Sequence, residues 1–418
     1  MYEKITKCRI CGNENLISVL NLGKQSLTGI FPKSKDRRIT FGPLEIVKCH
    51  GDDDSTSCDL IQLKHSYDSN ELYGNNYGYR SSLNQSMVIH LHRKVKKITS
   101  IANLKQGDLI IDIGSNDGTL LQGYAKESYK LVGIDPTGNK FKECYPSSIK
   151  LIPDFFSSKI IEDNFGNQKA KIITSIAMFY DLEAPMDFMQ QIYNILANDG
   201  IWVFEQSYMP TMLEMNAYDT ICHEHLEYYG LKQIKWMTDR IGFKIIDVEL
   251  NDVNGGSFSI TVAKASSNYR ENSSTIDRML SEERNKGLDR LVPYQDFKQR
   301  VYQHRDDLIK FIQEVKSENK TILGYGASTK GNVILQFCNI TENDIPFIAE
   351  VNIDKFGSYT PGTFIPIVSE EEAKAMKPDY FMVLPWHFRK NIVARERDFL
   401  KSGGRLFFPL PTLDVVRS

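Results

Sequence analysis

The stretch Ile110-Ile111-Asp112-Ile113-Gly114-Ser115-Asn116-Asp117-Gly118-Thr119 constrains this chain more than any other. It follows the polar turn Lys105-Gln106-Gly107-Asp108 and runs into Leu120-Leu121. Apolar residues that break into a Gly-polar-Gly bend predict a buried parallel strand, a tight turn and a helix start. Glycines in such a turn let the backbone come close to a ligand. About twenty residues on, Val132-Gly133-Ile134-Asp135-Pro136 reads as a second strand ending in a carboxylate. An acid at that place can bind both ribose hydroxyls of an adenosine ligand. The plain alternative is a doubly wound domain with an ordinary glycine turn.

A chain of 418 residues suggests two to four domains. Its formal net charge is -2, with no long basic run, so nucleic acid is not an expected partner. No signal peptide opens it, and it lacks an apolar run of the roughly 18 residues a membrane helix needs. The expectation is a cytoplasmic protein without a membrane partner. Seven cysteines in so long a chain do not read as a disulfide framework.

Four of those cysteines crowd the first sixty residues. Cys8-Arg9-Ile10-Cys11-Gly12 is a Cys-x-x-Cys knuckle, and Cys49 and Cys58 form a second, wider pair. Together they suit a tetrahedral zinc site of four thiolates. His50 or His65 could replace one thiolate. No thioredoxin-like strand and helix surround the knuckle, so a redox role is not expected. A site closed by four protein ligands leaves no position for substrate, and the zinc should be structural.

Three blocks follow: residues 1–72 with the cysteines, residues 73–268 with the glycine turn, and residues 269–418. The middle block alternates strand-like runs (109–113, 130–134, 170–175, 200–205, 258–263) with helical stretches such as 186–196, which predicts a mainly parallel sheet covered by helices. A charged helical linker is expected over 266–319. A second α/β unit then opens at Ile322-Leu323-Gly324-Tyr325-Gly326-Ala327-Ser328-Thr329-Lys330-Gly331-Asn332. Backbone amides at a helix start make an anion site, and Lys330 adds a charge for a phosphate. The order Lys-Gly-Asn does not match the nucleotide triphosphatase loop. A packing turn without ligand is the other reading.

The block Asp219-Thr220-Ile221-Cys222-His223-Glu224-His225 carries two histidines around a glutamate. On a helix, positions two apart point to nearly opposite sides, so His223 and His225 would not share a metal. The block is either a proton-relay cluster working near neutral pH or a polar helix cap with surface histidines.

The pattern Asp112-x-Gly114-x-x-x-Gly118 resembles the first motif of class I S-adenosylmethionine (SAM) methyltransferases. The whole series resembles the sugar C-methyltransferases that make branched deoxysugars. Its marks are Cys8-x-x-Cys11 with Cys49 and Cys58, Tyr77-Gly78-Tyr79-Arg80-Ser81-Ser82, the Asp112–Gly118 turn, Asp154-Phe155-Phe156, Asp219-x-x-x-His223-Glu224-His225, and Gly324-Tyr325-Gly326-Ala327 with Lys330-Gly331-Asn332. The resemblance implies an α/β protein with a small zinc-binding domain, a Rossmann-like SAM methyltransferase domain and a C-terminal Rossmann-like domain for a nucleotide sugar. It implies a monomer that methylates C-3 of a 4-keto-6-deoxyhexose linked to dTDP or GDP, for a surface polysaccharide, lipopolysaccharide or natural product. His225 would be the base, Glu224 would orient it or bind a sugar hydroxyl, and His223 would polarise the C-4 oxygen. Tyr77 and Tyr79 would hold the sugar, with Tyr79 and Glu224 the next candidate bases. Asp112, Gly114, Ser115, Asn116, Asp117, Gly118, Asp135, Asp154 and Phe155 would bind SAM. Cys222, Tyr325, Lys330 and Asn332 would contact substrate.

Two departures mark the chain. Many members have a tyrosine before His-Glu-His, where this sequence has Cys222. A histidine often follows the fourth methyltransferase strand, where this sequence has Tyr180-Asp181. These imply an altered sugar pocket. An O- or N-methyltransferase of a nucleotide sugar, or a non-catalytic sugar-nucleotide-binding protein, are the alternatives.

Overall fold

The computed structural model describes residues 2–51, 57–73, 78–124 and 128–418. Every residue of the Leu109–Ile113 strand is buried, as expected of a parallel strand covered on both faces. It sits inside a seven-stranded sheet ordered Phe243–Asn251, Ser257–Lys264, Leu196–Ser207, Ala170–Ile176, Leu109–Ile113, Lys130–Ile134, Ile149–Ile152. The last five pair in parallel, and Ser257–Lys264 runs antiparallel to both neighbours. The expected strands are therefore present, three of them longer than their apolar runs.

The C-terminal sheet has six strands: Ile367–Ser369, Ile348–Glu350, Ile322–Tyr325, Tyr380–Val383, Arg405–Phe408 and Asp414–Val416. Only the last pairs antiparallel. Its order places neighbouring crossovers on opposite sides of Ile322–Tyr325, so a crevice opens between that strand and Tyr380–Val383.

The N-terminal block forms an antiparallel sheet of Leu16–Ser26, Phe41–Cys49 and Ile61–Leu63. Its fourth strand is Glu227–Tyr228, supplied by the segment just after His225. The helix Thr329–Phe337 also grips this block: Gln336 bonds the amide and carbonyl of Ser26 at 2.7 and 3.1 Å.

The expected linker is a strut. In the helix Val292–Ser317, Tyr294, Phe297, Val301, His304, Leu308, Ile312 and Val315 are buried, a three-and-four spacing that makes one continuous stripe. Most of that stripe joins a core with Leu20 and Leu22 of the N-terminal sheet and with Ile322, Phe381 and Phe407 of the C-terminal one. A second core joins Cys8, Cys49 and Cys58 to Phe204 and Trp202 of the middle sheet. The block boundaries read from composition thus cut through shared cores.

Candidate active site and metal centre

The Cys8-x-x-Cys11 knuckle closes on itself: Gly12 N–H reaches Cys8 O at 3.0 Å, with Gly12 at φ +74°. Cys49 ends one strand and Cys58 precedes the next. Their sulfurs and those of Cys8 and Cys11 all lie within 4.8 Å of one another, with Cys8–Cys58 and Cys11–Cys49 at 3.4 Å. A tetrahedral zinc with bonds of about 2.3 Å holds its sulfurs about 3.8 Å apart, so the four thiols fit zinc. Among the described residues, neither His50 nor His65 joins the cluster.

A cavity of about 880 Å³ lies where the three blocks meet. One wall is the turn read from sequence. Asp112, Gly114, Ser115, Asn116 and Asp135 line it, as do Asp154 and Phe155. Gly114 has φ +73°, and a Cβ there would crowd Met178 Cγ at 3.0 Å, so the turn leaves a cradle only glycine can form. Asn116 N–H donates to Asp135 Oδ2 at 2.8 Å, and Thr137 N–H to Oδ1 at 2.7 Å. Burial pushes the Asp112 carboxyl up to about 7, opposed by the Thr174 hydroxyl that donates to it at 2.6 Å. A turn with these features fits the cationic amino-acid end and ribose of SAM.

Asp117 and Gly118 do not line the cavity. Asp117 is 1 % exposed and accepts from the Ser82 amide at 2.9 Å, while Asn116 bonds Ser81 N–H and Tyr79 O at 3.0 and 3.1 Å. They pin the Tyr79–Ser82 segment across the turn. Tyr79 lines the cavity; Tyr77 lies outside the described residues.

The His-Glu-His block is neither helical nor on the surface. Residues 221–226 are irregular and mostly buried, because the next residues are drawn into the N-terminal sheet. Leu226 N–H bonds Tyr180 O at 2.8 Å, and Leu63 N–H bonds Leu226 O at 2.7 Å. His225 lines the cavity, its ring edge-on to Tyr180 at 4.3 Å between centroids. Its Nδ1 lies 2.7 Å from the Thr220 carbonyl. A carbonyl only accepts, so Nδ1 carries the proton and Nε2 the lone pair. Burial, reinforced by the Lys330 charge, lowers the ring's pKa to about 3. Glu224 also lines the cavity; burial raises its carboxyl, which accepts from Thr28 Oγ1 at 3.3 Å. Asp181 faces the same space, and burial raises it well above the usual carboxylate range.

His223 and Cys222 go elsewhere. His223 is fully buried against Tyr67, 4.7 Å between rings, on the N-terminal block. Neither residue lines the cavity. A turn at 223–224 separates the two, with His225 at the cavity and His223 packed on the N-terminal block. A direct contact of His223 or Cys222 with substrate does not fit this placement.

On the C-terminal side, Tyr325 and Lys330 line the cavity and Asn332 does not. Lys330 Nζ donates to Asn254 O at 2.9 Å, crossing between blocks. The Tyr325 hydroxyl is engaged within the fold, donating to Glu396 at 2.7 Å. Asn332 is fully buried and donates to Thr28 O at 2.7 Å, which makes it a tie between blocks.

Several lining residues carried no sequence signal. Gly29 abuts Glu224. Glu205, two residues before the end of its strand, meets His90 at 2.6 Å and Lys94 at 2.7 Å. Burial alone would raise its carboxyl, but these partners hold it at about 2. Glu350, Lys355, His387 and Arg395 complete the C-terminal wall. Only the adjacency of Glu205 to a strand end could have pointed to it.

Three family models match in succession: a zinc binding domain over residues 8–73, a methyltransferase domain over 87–248, and a C-methyltransferase C-terminal domain over 252–411. The chain is 30% identical over 415 residues to the C-methyltransferase NovU of Streptomyces niveus, covering 99% of this chain and 97% of that protein. It is 27% identical over 141 residues to a carboxy-S-adenosyl-L-methionine synthase of Nautilia profundicola, 32% of this chain and 59% of that protein. Among solved structures, the complex of the Haloferax volcanii Trm112 methyltransferase activator with a methyltransferase matches at 12% identity and TM-score 0.36, over 44% of this chain and 94% of that one. The plantazolicin methyltransferase BpumL with SAH matches at 11% identity and TM-score 0.33, over 42% of this chain and 82% of that one. Among the described residues no helix is long and apolar enough to cross a membrane.

Proposed function

The chain belongs to the C-methyltransferase family, and from that premise we propose that it methylates C-3 of a nucleotide-linked 4-keto-6-deoxyhexose, with SAM as donor, in the making of a branched deoxysugar. One observation carries the reading. His225, with its lone pair on Nε2, opens onto the same cavity as the Gly114–Asn116 turn, Asp135 and the C-terminal crevice.

The C-3 hydrogen is acidic because the C-4 ketone takes up the charge left behind. Nε2 of His225 removes that proton, and the C–H electron pair becomes an enolate with its charge on the C-4 oxygen. C-3 then forms the new bond to carbon. Bound SAM supplies an electrophilic methyl group, whose bonding pair returns to sulfur. A pKa near 3 keeps His225 neutral and able to accept a proton at working pH. As enolate charge grows beside the ring, the imidazolium is stabilised and the base strengthens. His223 is remote from the cavity, so the donor to the C-4 oxygen in this reading is Lys330, whose charge His225 feels. A positioned base contributes about 10²–10⁴-fold, and a preorganised cation at the developing oxyanion a similar factor.

The test is solvent deuterium exchange at C-3 of a 4-keto sugar nucleotide without SAM. Wild type should exchange, and His225→Ala should not, while keeping SAM affinity, because a base contributes little to ground-state binding. Exchange at the wild-type rate in His225→Ala would remove His225 from the role. Methyl transfer to a C-3 deuterated substrate with full retention of label would favour O- or N-methylation.

A further inference from the structure

Among the described residues two histidines line the cavity, His225 and His387. His387 lies in the Trp386–Phe388 turn, just after the Tyr380–Val383 strand. One joint holds both rings. Trp386 Nε1 donates to Asp219 Oδ2 at 2.7 Å. The next residue, Thr220, offers the carbonyl that lies 2.7 Å from His225 Nδ1. Lys330 stands at the same corner. Its Nζ donates to Asn254 O at 2.9 Å, and a Cβ at the adjoining Gly255 would lie 3.8 Å from His387 Cβ. The Lys330 charge acts on both rings.

The two rings present opposite chemistry to that cavity. A neutral imidazole carries one N–H and one lone pair. Burial, with the Lys330 charge second, lowers the His387 pKa to about 3, so this ring is neutral at working pH, as His225 is. His387 Nδ1 is shut off from solvent and, among the described residues, meets no hydrogen-bond partner. The residue is otherwise half-buried, so Nε2 is the nitrogen open to the cavity. Orphaned buried N–H groups are rarer than under-satisfied acceptors, which puts the lone pair on Nδ1 and the proton on Nε2. His225 has the reverse arrangement, with its proton spent on Thr220 O and its lone pair free. One histidine therefore offers the cavity an acceptor and the other a donor. Phe388, 4.3 Å away between ring centroids, packs against the donor ring.

We propose that His387 is a second catalytic histidine, whose Nε2–H donates a hydrogen bond to the C-4 oxygen of the sugar beside Lys330. The proposal rests on the reading that the reaction passes through an enolate. As His225 Nε2 takes the C-3 proton, the C–H electron pair becomes the C-3 to C-4 double bond. The carbonyl pair moves onto the C-4 oxygen, where the His387 N–H meets it and keeps its own proton. When C-3 bonds the incoming methyl, the pair returns and the ketone is restored. A neutral donor suits this cycle, because a group that gave up its proton would leave an enol and would have to be reloaded. Its bond strengthens as the charge develops, so it acts on the barrier more than on binding.

The test uses the intact, zinc-loaded chain without SAM and follows solvent deuterium exchange at C-3 of GDP- and dTDP-linked 4-keto-6-deoxyhexoses. His387→Leu should slow exchange by about a hundredfold or more, with sugar-nucleotide and SAM affinities near those of wild type. His387→Gln, whose amide can place an N–H where Nε2 was, should recover much of the rate. Exchange at the wild-type rate in His387→Leu overturns the role of His387 and leaves His225 as the base. Equal losses in His387→Leu and His387→Gln overturn the donor role in favour of packing. Absence of exchange in wild type overturns this proposal together with the enolate reading. Nitrogen NMR of histidine-labelled wild type reads the tautomers directly, whether or not His387→Leu folds, with the His387 signals identified by their loss in His387→Gln. The proton should sit on Nε2 in His387 and on Nδ1 in His225, and an Nδ1–H tautomer at His387 overturns the proposal.

Discussion

Replacing Gly29 by alanine should disable the enzyme through Glu224. Gly29 has a φ outside the left-handed region, so its backbone accepts alanine without strain; the obstacle is space. A Cβ at Gly29 would come closer than 3.0 Å to Glu224 Oε1 and sit 3.5 Å from Cδ. Glu224 is only 7% exposed, so it can retreat only into the cavity it lines, breaking its bond from Thr28 Oγ1. Overpacking by one methyl in a tight site costs about 1–3 kcal/mol. Expressed as a misplaced carboxylate in the transition state, that is about a fivefold to hundredfold loss of kcat/KM. The Gly114–Asn116 turn does not touch Gly29, so SAM affinity should hold. The assay is turnover and SAM calorimetry on Gly29→Ala, with Gly29→Ala/Glu224→Asp as the partner variant. The shorter acid removes the overlap, and the double variant should lose less than the sum of the singles. Full turnover in Gly29→Ala, or strictly additive losses, would refute the steric reasoning.

The purified protein should carry about one zinc per chain, and Cys8→Ser should lower metal content and folding yield together; metal analysis showing active, zinc-free protein would end this expectation. Asp135→Ala should weaken SAM binding by about 1–3 kcal/mol, because it strands the amides of Asn116 and Thr137; unchanged calorimetric affinity would relocate the site. Glu205 is held at about 2, below an ordinary glutamate near 4.3, so its contribution is complete above the ordinary value and fades as pH falls towards 2. That contribution is on the order of 3 kcal/mol. Denaturation midpoints of wild type and Glu205→Gln should therefore converge between pH 5 and about 2, and a constant gap would contradict the pairing with His90 and Lys94.

The strand–turn–acid unit from Leu109 to Asp135 was legible because everything that makes it is local: an apolar run, a glycine turn, a carboxylate at the next strand end. The four cysteines were legible because metal chemistry restricts spacing. The conformation of the His223–His225 block was not legible because it is imposed from outside, by a strand pairing with Gln62 and Ile61 that no periodicity records. That same pairing anchors the segment that carries His225 at the cavity. Asn332 and Asp117 looked like ligand residues because they neighbour glycine turns, yet their side chains are consumed in holding other segments. Gly29, Glu205 and His387 were silent because their meaning lies in what approaches them from distant parts of the chain.

The Glu227–Tyr228 strand has a consequence for anyone who recombines such enzymes. Its hydrogen bonds to Ile61–Leu63 begin three residues after the metal ligand Cys58, and Gln233 Nε2 holds the Cys58 carbonyl at 3.0 Å. The histidine facing the cavity is therefore anchored to a metal-stapled module encoded some 160 residues earlier in the chain. A chimera that exchanges residues 1–72 between relatives breaks this joint unless residues 221–233 travel with it, so the transferable cassette is discontinuous in the gene although it is continuous in space.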